Sequence, residues 1–285
     1  MSALLASTRA ELLRLRRWPA MWVLFASWVT LNVTFGYVFD YIAYRSGDPS
    51  PVGEGAPAAS LLPGLLPPAV PVTLVQGMPM FGGALVMILG ALAVGSCYGW
   101  GTWKTVFTQG PGRGAAFGGT LVALAAVVAA LVVTSAAVDL GVSSVIALTE
   151  GQGVDMPAIG DMVPALGTGL LVLGMWAAAG VLVGVLARGP ALAVGLGLVW
   201  ALVVENLLRG VAGILPGIAL VTDHLPGTAA GSLVGALGAP GVGQSGGTPG
   251  VLTILGGPTA VGWLAAYAVG FAAVALLVVR RRDVP

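Results

Sequence analysis

Six runs of about twenty apolar residues constrain what this chain can become more than any other feature. They cover 19–44, 78–98, 115–140, 163–187, 190–208 and 258–279, and a helix of that length crosses a hydrocarbon core of roughly 30 Å. A membrane β-strand would alternate apolar and polar residues over about ten positions, whereas these runs are apolar on every face. The expected fold is therefore all-α, a polytopic membrane protein with six transmembrane helices. Composition agrees: 57% of the 285 residues are hydrophobic and 8% charged, against about 25% charged in soluble domains. Residues 1–285 read as a single transmembrane domain.

Orientation follows from the cations, because loops on the cytoplasmic side retain Lys and Arg near the membrane. With both termini inside, ten of the twelve cations fall there: Arg9, Arg14, Arg16, Arg17, Lys104, Arg113, Arg188, Arg280, Arg281 and Arg282. Only Arg45 and Arg209 are left outside. Nine of the eleven carboxylates lie outside or toward that end, and Asp40 and Asp139 read as close enough to the interface to be hydrated. No acidic residue is expected at the centre of a span. The first run is too long for a cleaved signal peptide and lacks a small-residue cleavage site, so it stays as an anchor.

Residues 1–18 read as an amphipathic interfacial helix. Thr8 and Glu11 have capping-box spacing, and Leu12, Leu15, Trp18 and Trp22 follow at steps of three and four. Arg9, Arg16 and Arg17 would then face headgroups while the Leu and Trp side enters the acyl boundary. The outer stretch 45–77 is rich in Pro and Gly and is assigned no regular structure, and 141–162 reads as a short acidic loop. The apolar segment 210–238 is broken by Pro216 and Pro226, which predicts short helices that dip into the membrane and return, followed by a flexible linker. Gly-xxx-Gly pairs such as Gly95 with Gly99 and Gly180 with Gly184 carry little weight in a chain with 45 glycines.

Several chemistries are excluded. A P-loop needs Gly-Lys followed by Ser or Thr, and the only lysine, Lys104, follows Trp103. One His and one Cys cannot supply an ordinary zinc site or an intramolecular disulfide. Cys97 reads as a small buried apolar residue. The sequence GQSGG, 243–247, fits Gly-x-Ser-x-Gly, but its serine, Ser245, would have only His224 as a base and sits in a Gly-rich linker. A linker serine and a loop histidine are the simpler readings. Glu205 and Arg209, four apart near the outer end of the fifth run, can neutralise each other as an outer-gate ion pair.

The first inner loop, YGWGTWKTVFTQGPGR, gathers aromatic residues and cations. Trp100, Trp103 and Phe107 fall at i, i+3 and i+7, one face of a short helix ended by Gly110, Pro111 and Gly112. An aromatic knob with Lys104 on its rim suits a protein docking surface. Interfacial Trp with positive-inside cations explains the composition without a partner, though not the helical spacing.

Here the chain resembles the ABC-2 type permease family. Gly101, Thr102, Trp103, Lys104 and Thr105, then Gly110, Pro111 and Arg113, fit that family's first-loop pattern Gly-Thr-x-Lys/Arg-Thr followed by Gly-Pro-x-Arg. The stretch HLPGTAAGSLVGAL is similar to the broken outer hairpin between spans five and six, and VVENLL around Glu205 to the fifth span. Cys97 departs from the pattern, standing where many members carry an acidic residue. The resemblance implies a permease subunit of an ATP-driven exporter in a bacterial plasma membrane. Trp100, Thr102, Trp103, Lys104, Thr105, Phe107 and Arg113 would form the loop that couples to a separate ATPase subunit. Leu12, Leu15, Arg16, Arg17 and Trp18 would belong to the connecting helix, and a second permease chain would complete the pathway. This chain would hold no cofactor, ATP and Mg being on the partner, and no nucleic acid is expected. Two alternatives stand beside it: an ion-coupled secondary transporter, and an intramembrane hydrolase using Ser245 and His224.

Overall fold

The computed structural model describes residues 2–50, 56–108, 110–212, 214–244 and 246–282. The described chain is all-helical, without strands. Six helices are long and apolar enough to cross a membrane, the architecture of a multi-pass membrane protein: α2 Pro19–Ser46, α4 Met78–Gly99, α6 Arg113–Thr149, α7 Ile159–Ala187, α8 Pro190–Ala212 and α11 Gly257–Arg281. Between and before them lie α1 Ala3–Arg17, α3 Val70–Gln76, α5 Thr102–Thr108, α9 Pro216–Thr222 and α10 Pro226–Gly235.

Proline and glycine set most boundaries. A proline occupies the first turn of α2, α8, α9, α10 and α11, where its missing N–H costs no hydrogen bond. Gly47, at φ 79°, ends α2. The turn from α7 to α8 is so tight that Arg188 takes a left-handed conformation, φ 53°, before Gly189 and Pro190 start the next span.

α4 and α7 are the most tightly joined spans, and glycine is the reason. A methyl group at Gly90 would run into the carbonyl oxygen of Ala177, and one at Gly180 into that of Met87. At Gly184 it would stand 3.0 Å from the carbonyl oxygen of Ala91. Without a hydrophobic drive between helices in lipid, such backbone approach supplies dispersion contact that larger residues would block. The pair Gly180 and Gly184, set aside on sequence frequency, is thus an interface. α7 also packs against α11, whereas α2, α8 and α11 bury the smallest share of their surfaces.

Several expectations change. The capping box at Thr8 does not form: the helix starts earlier, Ser2 accepts the amide of Leu5 at 3.4 Å, and Thr8 bonds back to the carbonyl of Leu4. The good helix formers of 3–6 extend α1 by a turn, and Glu11 instead pairs with Arg14 at 2.7 Å. α6 runs on to Thr149, so most of the supposed loop 141–162 is helix; its VSSVIALT segment sustains the hydrogen bonding until Gly151 turns at φ 64°. The outer stretch 45–77 contains α3, whose Leu74 and Val75 are buried against α6 and α7. The supposed linker after α10 is a packed return: Thr248 donates its amide to Pro240, Leu252 donates to Gly231, and Val251 is buried.

α1 and the end of α11 meet the head of α6 at one end of the bundle. α1 lies along the start of α6, close enough that Gly119 has no room for a methyl beside Ser7. Arg113 at the head of α6 donates to the carbonyl of Arg282 at 2.8 Å. α1, α5, the end of α11 and their arginines therefore share one arginine-rich end.

Candidate functional site

The first loop forms a short helix, as its aromatic spacing predicts, but its three aromatics do not share a face. Trp100 is the capping residue that ends α4, and Gly101 then takes φ 66°. This left-handed step breaks the helical phase, and α5 starts only at Thr102. Trp100 is consequently left 67% exposed, edge-on to Trp18 at 6.3 Å.

Trp103 turns inward and is 2% exposed. It stacks on Phe107 at 5.2 Å and packs at 6.1 Å from Phe117 and 6.4 Å from Tyr98. Its indole N–H finds no partner among the described residues. A docking knob built on Trp103 is therefore corrected to an internal anchor, because the apolar pocket beside α6 offers the indole more burial than solvent does. Phe107 is half-buried, with the Arg113 guanidinium over its ring at 5.6 Å. What α5 presents outward is Lys104, Thr105 and Thr108; Thr102 is half-buried.

α1 stands next to it. Leu15 is fully buried in the cluster that holds Trp103, Phe117 and Cys97, Leu12 and Trp18 pack on that cluster, and Arg16 and Arg17 are exposed. Arg14, lying over Trp18, also donates to the carbonyl of Ala93 in α4 at 2.9 Å. Leu15 thus packs within the protein and not in lipid. Between α1 and α5 runs a groove of about 520 Å³, lined by Ala6, Ser7, Ala10, Val106, Pro111 and the edge of Trp103. α1 and α5 thus pack together on the ends of α4 and α6 as one platform.

At the opposite end, Glu205 and Arg209 are neighbours without forming a direct ion pair. Glu205 is fully buried. One carboxylate oxygen accepts the amide of Gly227 at 2.8 Å, and the other accepts the indole N–H of Trp200 at 3.0 Å. Gly227 belongs to the first turn of α10, whose unpaired amides favour an anion. Arg209 turns away to Asn206 at 2.7 Å and Thr228 at 3.4 Å. The helix terminus gives the carboxylate a partner already in place, without the entropy of ordering a long guanidinium side chain.

Asp139 departs furthest from expectation. It lies ten residues before the end of α6, about 15 Å along the axis, and is fully buried. Asn32 of α2 donates to its Oδ1 at 2.7 Å, while its Oδ2 has no hydrogen-bond partner among the described residues. One turn away on both helices, Trp28 donates to Ser135 at 2.9 Å. The sequence places this carboxylate near an interface because it stops α6 at residue 140; the longer helix and its cover by α2 put it inside.

His224 packs against Trp263 at 5.0 Å, and its Nδ1 lies 2.9 Å from the carbonyl of Leu220. Ser245 lies outside the described residues. No group of three or more His, Cys, Asp or Glu arranged to hold a metal occurs among the described residues. No protein-family model matches the chain, and no curated protein matches it in sequence.

Proposed function

We propose that the chain is the transmembrane permease subunit of an ATP-driven exporter of the ABC-2 type, with both termini cytoplasmic. The observation that carries this reading is the platform at the arginine-rich end. α5 projects from two spans, is locked to them by Trp103, and carries an exposed face of Lys104, Thr105 and Thr108 beside Trp100 and the α1 groove. A rigid element of that kind transmits force from a separate ATPase to α4 and α6, and through α1 to α2. Hydrolysis of ATP, with its Mg, belongs to the partner; this chain forms the path, paired with a second permease chain in the bilayer.

The test is co-purification with a partner ABC ATPase subunit. Thr105→Arg combined with Trp100→Ala changes only the exposed face, so partner recovery should fall at least tenfold while the permease elutes as a folded species. Undiminished recovery and undiminished stimulated ATPase activity would remove the coupling role.

A second reading has one observation in its favour. Asp139 and Glu205 are carboxylates fully buried in candidate spans, as in ion-coupled transporters. Transport that stops on collapse of the proton gradient, and persists without the ATPase, would favour it.

A further inference from the structure

Asn32, whose amide reaches Asp139, lines a cavity of about 230 Å³ between α2, the end of α3, the start of α4 and the return segment after α10. Its walls are Trp28, Phe35 and Phe81, and its polar points are Asn32, Gln76 and Thr248. Two of the helices that form it leave regular α geometry there: α2 is π-helical over Thr34–Val38 and α4 over Met78–Gly82. Such bulges turn side chains that a regular helix would carry past, and they recur at functional sites.

The wall is held in place from behind. The hydrogen bond to Ser135 fixes the Trp28 indole, and Gly77 and Gly82 press on its ring, the former placing a would-be methyl 3.4 Å away. Asn32 is fixed by the same α6 face. Its Nδ2 donates to Asp139, and its own Oδ1 makes no hydrogen bond to the described residues. With its NH₂ turned to Asp139, the amide leaves its carbonyl oxygen for the cavity. The hydrogen bond that the same amide donates to Asp139 polarises that carbonyl further.

This arrangement has an electrostatic sign. The ion pairs among the described residues are Arg14 with Glu11 and Arg45 with Glu150, and neither reaches Asp139. The faces of Trp28, Phe35 and Phe81 attract a cation, and the Asn32 carbonyl oxygen supplies the acceptor that N–H donors need. Size narrows the ligand as well. An apolar cavity of about 150 Å³ takes a benzene ring, so this one holds a single ring with a short arm.

We propose that this cavity binds a small aromatic ammonium, its ring between Trp28, Phe35 and Phe81 and its N–H donors on the Asn32 carbonyl oxygen backed by Asp139. That such a cation is the exported cargo rests on the permease reading; the binding site itself does not.

The experiment is equilibrium binding of tritiated phenethylammonium to the purified full chain in nanodiscs, without ATPase or nucleotide. Unlabelled phenethylammonium should compete at least tenfold better than hydrocinnamate, an anion of the same size, with phenethyl alcohol between them. Asn32→Leu and Asp139→Asn should each weaken the ammonium at least tenfold, and Phe81→Ala should weaken the ammonium and the alcohol alike. Where a variant fails to fold, the wild-type competition order decides. No saturable binding, or hydrocinnamate competing as well as the ammonium, overturns the site. Retained ammonium binding in a chain that never recruits an ATPase removes the exporter reading and leaves the site; lost binding with ATPase recruitment intact removes the site alone.

Discussion

Replacing Glu205 separates two accounts of the same residue pair. In the structure both carboxylate oxygens are acceptors, one for the Gly227 amide at 2.8 Å and one for the Trp200 indole at 3.0 Å. Glu205→Gln keeps the shape but allows only one oxygen, so one donor then faces an NH₂ group. Leaving one buried donor unpaired costs about 1–3 kcal/mol, so Glu205→Gln should destabilise the fold by about that amount. Arg209→Gln should cost less, about 1 kcal/mol, because the Arg209 guanidinium hydrogen-bonds to Asn206 and Thr228 and makes no direct contact with Glu205. The assay is equilibrium unfolding in mixed micelles, followed by tryptophan fluorescence and circular dichroism. In the double exchange, Glu205→Arg with Arg209→Glu, a guanidinium would meet an amide and an indole N–H, two donors. No rescue is expected, and recovery of more than half the lost stability would show that the two residues act as an ion pair after all.

Trp103→Ala should cost about 3–5 kcal/mol, the range for emptying a large core site, whereas Trp100→Ala should leave stability within about 0.5 kcal/mol; thermal unfolding of the two variants compares them, and equal losses would contradict the burial of Trp103. Gly180→Leu should lower stability by more than about 1–3 kcal/mol, since the new side chain meets the Met87 carbonyl on a backbone that cannot yield, and a protein that unfolds at the wild-type temperature would rule out the close α4–α7 approach. Orientation is open to cysteine labelling in whole cells on a Cys97→Ser background: an impermeant maleimide should modify Gly153→Cys and spare Lys104→Cys, and the reverse pattern would invert the topology. Leu15→Ala should free α1 from its cluster, costing about 2–5 kcal/mol, and the loosened helix should be cut by trypsin at the already exposed 16–17 arginines before the spans are.

The six apolar runs and their proline and glycine boundaries are local properties, and they sufficed to set the number of spans, most of the span limits and the gathering of cations at one end of the bundle. The short helix of the first loop was equally legible, because an i, i+3, i+7 aromatic spacing is a local pattern. What that helix turns inward was not, since Gly101 resets its phase and the pocket that takes Trp103 is built by Phe117 and Tyr98 of two other helices. In spans that are apolar on every face, periodicity no longer distinguishes a lipid-facing side from a packed one. The meeting of α4 and α7 at Gly90 and Gly180 therefore emerged only from the assembled bundle. The same holds for the two carboxylates. Sequence paired Glu205 with its nearest cation, but the first turn of α10, twenty-two residues on, offered amides already aligned. Sequence placed Asp139 near water, but α2 covers it with Asn32, 107 residues away. Partners so distant along the chain are chosen by packing, and a buried polar group takes whichever donor the fold brings within reach.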